Sequence, residues 1–217
     1  AQSVARSPES VRLVVVTKAH SMEIVRAVVD AGARILGENY PEKALPKISA
    51  LARSDVEWHM IGHIQSRKAR QICENFAWAH SLDREKIATR LNRFGGELGK
   101  RLPVLLECNI SGEGSKFGYP LWKEENWLPF ADQVAPLLEL PSLDVRGLMT
   151  IPPWDPDPEG SRLYFQRLYR LRDYLAGVYG DAHWGELSMG MSNDYEVAIQ
   201  EGATLVRVGT AIVGPRS

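Results

Sequence analysis

Eight short apolar runs recur along this chain, and their regular alternation with segments of helical spacing constrains the fold most strongly. Several runs are apolar without alternation, such as VVV at 14–16 and VLL at 104–106, which is typical of strands covered on both faces. The alternation therefore predicts parallel β/α architecture. The predicted strands cover 12–18, 34–39, 57–62, 76–82, 103–110, 144–151, 185–190 and 205–210.

Two parallel folds compete for this pattern. An open doubly wound sheet usually has a glycine-rich first βα turn, whereas the first turn here reads TKAHS. Eight strands with seven linking helices fit a single (β/α)8 TIM-type barrel better, as one domain over 1–217. Only AIVGPRS follows the last strand, so we expect the final helix to be absent, with residues 1–11 as the remnant of a covering helix. The proline-rich segment 152–160 is interpreted as an exposed loop at the barrel mouth.

Composition narrows the function classes. The chain has 217 residues, 44% hydrophobic residues and a formal net charge of −1, so we expect an ordered globule without a global basic field for nucleic acid. No stretch is long and apolar enough to span a bilayer, and the N-terminal segment has no apolar signal core. We therefore expect a cytoplasmic protein that contacts neither membrane nor nucleic acid. The near-neutral charge and single barrel predict a monomer.

Lys18 is the first candidate functional residue, because function in a barrel lies at the C-terminal ends of the strands. It directly follows VVVT and so emerges over the barrel mouth. Partial burial there lowers the pKa of an amine, and a neutral amine can form an imine with an aldehyde. The alternative is a solvated lysine that happens to follow a strand.

Two loops at the last two predicted strands have the composition of a phosphate site. SMGMSND after the seventh strand offers hydroxyls and a helix start, and RVGTA at the eighth offers a cation, a glycine and a hydroxyl. The alternative is a pair of ordinary βα turns, which also favour these residues. A lysine that can form a Schiff base, together with a phosphate-binding site, points to pyridoxal phosphate as the ligand. A sugar-phosphate aldolase would show the same two features.

Metal binding is a weaker hypothesis. His59 and His63 have the four-residue spacing of helical metal ligands, but WHMIGH has the pattern of a strand, and neither a cysteine nor a third histidine lies nearby. The two cysteines, Cys73 and Cys108, lie in apolar surroundings and are interpreted as buried hydrophobic residues. We expect no metal site.

Seven blocks of this sequence, in this order, resemble the YggS/PROSC family of pyridoxal phosphate homeostasis proteins. The resemblance extends from about Val11 to Gly214. It implies a barrel like the N-terminal domain of alanine racemase, which is fold-type III among proteins that bind pyridoxal 5'-phosphate (PLP). The blocks are VVVTKAH, GENYPEKALPK, WHMIGHIQSRKAR, HSLDREKIA, NISGEGSKFGY, VRGLMTIPP and LSMGMSNDYEVAIQEGATLVRVGTAIVG.

The resemblance also implies a set of cofactor-binding residues. Lys18 matches the lysine that carries PLP as an internal aldimine, and Asn39 matches a residue that lines the pocket. Arg207 matches the arginine near the pyridine nitrogen, where a cation leaves the ring unprotonated and a poor electron sink. The matching phosphate-binding residues are Gly209 and Thr210 in one turn, and Ser192, with Ser188 as a nearby candidate, in the partner loop.

A PLP carrier and a PLP-dependent enzyme could both have these binding residues, and other features of the sequence distinguish them. Fold-type III enzymes complete their active site with a second β-domain, and only seven residues follow the last predicted strand. A racemase also needs a second base, for which Tyr40 and Tyr119 are conceivable but unsupported. We therefore expect a PLP carrier in PLP homeostasis with no catalytic residues, and PLP-dependent apo-enzymes as partners. The alternatives are a PLP-dependent racemase-like enzyme or decarboxylase, the aldolase, and a structural interaction module in which Lys18 has no role.

Overall fold

Eight parallel strands close into a barrel in a computed structural model that describes residues 6–215. Pairing of the first strand with the last, and of the fourth with the fifth, completes the ring and confirms the predicted (β/α)8 fold. The barrel strands are β1 (Arg12–Val16), β2 (Ile35–Glu38), β3 (Glu57–Met60), β4 (Trp78–Leu82), β5 (Leu102–Asn109), β7 (Leu143–Met149), β8 (Glu186–Ser188) and β9 (Leu205–Val208).

A ninth strand, β6 (Tyr119–Pro120), was not predicted. It pairs in parallel with the end of β5, where Cys108 lies opposite Tyr119, and it continues the wall beyond the end of β4. Two residues are too short for any periodic pattern to reveal. This strand fixes the start and end of the loop 110–118, which lies at the barrel mouth.

Helices cover the outside of the barrel between successive strands. Within residues 6–215 the last of them, α8 (Thr210–Val213), corrects the expectation that nothing helical follows the final strand. Before β1, Pro8–Ser10 forms one 3-10 turn, and the rest of the predicted remnant at 1–5 lies outside the described residues. The other helices are α1 (Met22–Asp30), α2 (Pro41–Leu51), α3 (Ala69–Asn75), α4 (Glu85–Glu97), α5 (Trp127–Leu138), α6 (Arg162–Tyr179) and α7 (Tyr195–Gln200).

The inside of the barrel is apolar in part and polar in part. Its apolar portion is formed by Val14, Val16, Ile61, Leu105, Met149 and Leu205, whereas the larger apolar core lies between the strands and the helices. Polar side chains from five strands share the barrel interior with this cluster and are buried too: His59, His80, Glu107, Ser188 and Arg207. Buried polar groups need partners, so this interior is organised by hydrogen bonds as well as by packing.

Gly147 allows β7 and β8 to approach each other. Its φ is +153°, and a Cβ there would overlap the carbonyl oxygen of Glu186 on the neighbouring strand. The register between β5 and β7 shifts at the same place, between Val104 and Leu105. Among the described residues, no helix is long and apolar enough to cross a membrane.

Candidate functional site

The C-terminal ends of the strands surround a cavity of about 400 Å³. Loops that follow β1, β2, β3, β7, β8 and β9 line it, which is where a barrel carries function. Six of the seven residues predicted from the sequence lie on its wall, and Ser188 does not. The six are Lys18, Asn39, Ser192, Arg207, Gly209 and Thr210.

A buried polar cluster holds the backbone that carries Lys18. The Thr17 hydroxyl donates to Glu38 Oε1 at 2.8 Å. Lys47 Nζ donates to the same oxygen at 2.7 Å and to the Thr17 carbonyl at 2.8 Å. Ala19 then turns with a φ of +64°. The end of β1 is thereby linked to both β2 and α2, and half-buried Lys18 starts from a fixed position.

Lys18 lies between two cavities. It lines the 400 Å³ cavity together with Arg207, and also a neighbouring cavity of about 630 Å³, with Asn39 as the other shared residue. The second cavity is more basic, because Lys43 and Lys47 join Lys18 on its wall beside Glu38, whereas Asp155 and Asp194 line the first.

The loop after β8 meets the turn after β9 through Ser192. Its hydroxyl oxygen accepts hydrogen bonds from the backbone N–H groups of Gly209 and Ala211, each at 3.3 Å. Asp194 is buried and shapes the loop, because its Oδ1 accepts from the Met191 N–H at 2.7 Å. The two N–H groups therefore fix the Ser192 oxygen beside the cavity, and its hydroxyl proton remains to be donated to an acceptor such as an anion.

Arg207 extends from β9 into the barrel and is only 4% exposed. Its guanidinium donates to the Ser188 hydroxyl at 2.6 Å and to the Thr150 carbonyl at 2.8 Å. Burial lowers the pKa of Arg207 to about 10, although Glu107 and Asp194 oppose this shift. The side chain therefore still carries its charge at neutral pH.

Glu107 is a second ionisable group in the interior, on β5. It is 8% exposed, and its Oε2 is buried without a hydrogen-bond partner. Burial, with the nearby Asp83 carboxylate, raises the pKa of Glu107 to about 7, whereas Arg207 and Arg84 lower it. The Glu107 carboxyl group therefore holds a proton to higher pH than an exposed glutamate does.

Ser188 lies behind Arg207 and away from the cavity wall. It is fully buried, and its oxygen lies 2.6 Å from an Arg207 nitrogen and 2.9 Å from His80 Nδ1. Its hydroxyl is thus used within the barrel interior.

The two histidines considered for a metal do not converge. His59 faces the interior, with its Nδ1 2.9 Å from His80 Nε2, whereas His63 stacks on Phe117 at a ring distance of 3.8 Å. In the described part of the chain no three His, Cys, Asp or Glu side chains are grouped as metal ligands.

The loop 110–118 lies along one side of the mouth. Lys116 donates to the Ile151 carbonyl at 3.1 Å and pairs with Glu113 at 2.5 Å, which joins the loops after β5 and β7. Three exposed aromatic side chains stand around the mouth: Tyr40, Phe117 and Trp154.

Sequence reasoning missed Glu38, Lys47 and Glu107. The two carboxylates do carry a signal, because each lies inside an apolar strand run, RILGEN and PVLLECNI. A charge in such a run is expected to be paired or functional. Lys47 carries no such signal, since lysine in a helix is usually solvated.

Comparison with known proteins places the chain among PLP-related sequences. The family model "Alanine racemase, N-terminal domain" matches residues 1–217. Curated relatives named pyridoxal phosphate homeostasis protein include one from Pseudomonas aeruginosa, 43% identical, covering 100% of this chain and 89% of its own length. Another, from Vibrio alginolyticus, is 40% identical, with 99% and 91% covered.

Solved structures give the same result. PipY from Synechococcus elongatus, described both without PLP and with PLP bound, superposes with a TM-score of 0.88 at 33% identity, covering 98% of this chain and 97% of PipY. Alanine racemase from Clostridium difficile has a TM-score of 0.72 at 13% identity, covering 95% of this chain and 52% of that enzyme. The second likeness shows the fold alone.

Proposed function

The chain belongs to the family of pyridoxal phosphate homeostasis proteins, and on that basis we propose that it binds PLP at the mouth of its barrel and acts in PLP homeostasis. One observation carries this proposal: Lys18, the buried Arg207 and the Ser192 hydroxyl lie on the wall of one cavity, beside the Gly209 turn. A volume of about 400 Å³ is within the usual range for a small-molecule site. The proposed unit is one barrel domain over 1–217.

Lys18 is the proposed point of covalent attachment. PLP would supply an aldehyde, and the Lys18 amine would hold it covalently with release of one water. The cluster of Thr17, Glu38 and Lys47 supports this role, because it fixes the backbone from which Lys18 extends. A fixed starting position lowers the entropy that the side chain loses when it is attached.

The phosphate group is proposed to lie between the loops after β8 and β9. The Ser192 hydroxyl accepts from the Gly209 and Ala211 N–H groups and keeps its own proton to donate there, and Thr210 adds a second hydroxyl. Of the two serines considered from the sequence, Ser192 fits this role. Ser188 fits a role behind Arg207, because its hydroxyl is used in the interior.

Arg207 and Asn39 are proposed to face the ring. The Asn39 Oδ1 is buried without a hydrogen-bond partner in the structure, so a donor on a ligand would satisfy it. A guanidinium that remains charged does not give up its proton to a ring nitrogen. Such a ring withdraws electrons weakly, and this supports a carrier with little or no catalysis over a racemase-like enzyme.

The two tyrosines considered as a second base lie elsewhere. Tyr119 is buried against Phe130 at a ring distance of 4.8 Å, and burial raises its pKa above the usual value. Tyr40 lines the neighbouring cavity and is 57% exposed. Among residues 6–215, the wall of the Lys18 and Arg207 cavity includes no tyrosine. Apo-enzymes as PLP acceptors, a monomeric state and a cytoplasmic location remain predictions.

The test is reduction of the PLP-loaded protein with borohydride, followed by peptide mass mapping. We expect a yellow protein whose reduced adduct maps to Lys18. The Lys18→Ala variant should lose both the visible absorption and the adduct. Lys43→Ala, a lysine on the wall of the neighbouring cavity, serves as the matched control and should keep both. An adduct of unchanged amount in Lys18→Ala would refute the assignment, and a protein that PLP cannot reconstitute would favour the sugar-phosphate aldolase.

A further inference from the structure

Five side chains form an unbroken line of hydrogen bonds through the barrel interior. Arg207 lies 2.6 Å from Ser188, Ser188 lies 2.9 Å from His80, and His80 lies 2.9 Å from His59. His59 Nε2 then lies 3.2 Å from Glu57 Oε2. Its residues lie on β9, β8, β4 and β3 in that order. The line therefore connects the cofactor cavity with the opposite end of the barrel, where β3 begins.

The hydrogen bonds in this line all run in one direction, because Arg207 at one end can only donate and the Glu57 carboxylate at the other can only accept. A guanidinium has only donors, so the Ser188 oxygen accepts from Arg207 and its own proton is left for His80 Nδ1. His80 then carries its proton on Nε2 and donates to His59 Nδ1. His59 in turn carries its proton on Nε2 and donates to the Glu57 carboxylate.

Both histidines are neutral in this arrangement. Each is fully buried, and burial lowers the pKa of each below the usual value, with the Arg207 and Arg12 charges lowering that of His80 further. A doubly protonated His80 would have no acceptor for Ser188, and the line would break there. The line thus links a buried cation at one end to a carboxylate at the other through three neutral groups.

We infer that His59 and His80 are positioning residues for Arg207, which they hold toward the cofactor cavity through Ser188. This inference rests on the proposed function, because Arg207 is the residue assigned to the cofactor ring. Without His80, the Ser188 hydroxyl loses its acceptor and can rotate. Arg207 then keeps one fixed partner, the Thr150 carbonyl, and its guanidinium gains freedom at the cavity wall.

Tautomers measured by ¹⁵N NMR on the cofactor-free protein test the line itself. We expect His59 and His80 to be neutral at pH 7 with the proton on Nε2. His183 is an internal reference for the opposite tautomer, because its Nδ1 lies 3.2 Å from the Val145 carbonyl and must donate. In Ser188→Ala the His80 Nδ1 signal should shift, while His183 stays unchanged. A proton on His80 Nδ1, or a charged imidazolium, would overturn the inference.

Cofactor affinity tests whether the line acts on the site. We expect His80→Leu to weaken PLP binding about tenfold and to shift the absorption maximum of the bound cofactor, because a charged hydrogen bond loses its alignment. His80→Asn, whose amide oxygen can still accept from Ser188, should restore most of the affinity. His183→Leu is the matched control and should bind as the wild type does.

The tautomer and affinity measurements distinguish a failure of the positioning role from a failure of the proposed function. Wild-type affinity and an unchanged spectrum in a folded His80→Leu would refute the positioning role even if the tautomers are as expected. Failure of the wild-type protein to attach PLP at Lys18 would refute the proposed function instead, and it would leave the tautomer result standing.

Discussion

At the scale of single residues, Ser192 provides the sharpest test of the anion site. Its hydroxyl already accepts two backbone N–H groups at 3.3 Å, so it lies where they converge. We expect Ser192→Ala to weaken PLP binding by roughly tenfold, the usual order for one hydrogen bond to a charged group. Fluorescence titration with PLP measures the change, and inorganic phosphate should compete less well in the variant.

Ser142→Ala is a suitable control, because Ser142 lies just before β7, at the opposite end of the barrel from the cavity. It should bind PLP as the wild type does. Equal PLP affinity in Ser192→Ala and wild type would place the phosphate elsewhere.

Glu107 makes stability depend on pH. Its folded-state pKa is raised from 4.5 to about 7, so the folded state holds a proton that the unfolded state releases. The free energy of unfolding therefore falls as pH rises from about 4.5 to about 7, by roughly 3 kcal/mol in total, and stays lower above that range. Glu107→Gln removes this penalty and should be more stable than wild type at pH 8, but not at pH 4.5.

Urea unfolding at a series of pH values measures this difference. Glu139→Gln changes an exposed carboxyl and serves as the control, with the same pH profile as wild type. A pH profile of Glu107→Gln parallel to that of the wild type would show that Glu107 ionises normally.

At the scale of elements, Lys47 links α2 to the ends of β1 and β2. Its removal takes the ammonium group away from the buried Glu38 carboxylate, which keeps its hydrogen bond from the Thr17 hydroxyl. Breaking one side of a buried ion pair costs about 3–5 kcal/mol. We expect Lys47→Met to lose stability on that scale in urea unfolding, and the double variant Lys47→Met with Glu38→Gln to recover part of it.

Lys43→Met alters another lysine of α2, and we expect its stability to lie close to that of wild type. A loss below about 0.5 kcal/mol in Lys47→Met, the range of ordinary surface substitutions, would mean that the cluster does not hold the strand ends.

The strands were predictable because each one is a local pattern. Each of the eight predicted runs overlaps a barrel strand, and six contain it whole, whereas β5 and β7 begin one residue before the predicted run. The prediction usually extended past the C-terminal end, as at 12–18 against Arg12–Val16. The extra residues belong to the turns that follow the strands, and several of these turns carry the site. The short β6 and the single turn of α8 depend on tertiary contacts and have no period to detect.

Site residues that directly follow a strand were predictable, because the fold places such positions at the barrel mouth. Contacts between side chains on strands far apart in the sequence were not predictable. Lys18 and Gly209 follow strands, so their place at the mouth comes from the topology. His80 and Ser188 are separated by 108 residues, and only the closed barrel brings their side chains together. Ser188 was a nearby candidate beside Ser192 in the sequence, although Ser188 faces the interior and Ser192 the cavity.

At the scale of the whole molecule, the cavity lies where the ring closes. Lys18 follows β1 and Arg207 belongs to β9, and these first and last strands pair along four residues. A ligand that joins them stabilises the closed barrel against unfolding by mass action. At a PLP concentration of a hundred times Kd, the free energy of unfolding should rise by about 3 kcal/mol.

Two analogues of PLP measure separately how much the phosphate and the aldehyde contribute to this increase in the free energy of unfolding. Pyridoxine phosphate has the phosphate but no aldehyde, so it should raise the urea midpoint less than PLP and by the same amount in Lys18→Ala as in wild type. Pyridoxal has the aldehyde but no phosphate, so its smaller gain should disappear in Lys18→Ala and persist in Ser192→Ala. A urea midpoint that PLP leaves unchanged would mean that the ends of β1 and β9 are not joined by the cofactor, because any ligand bound only to the folded barrel must stabilise it.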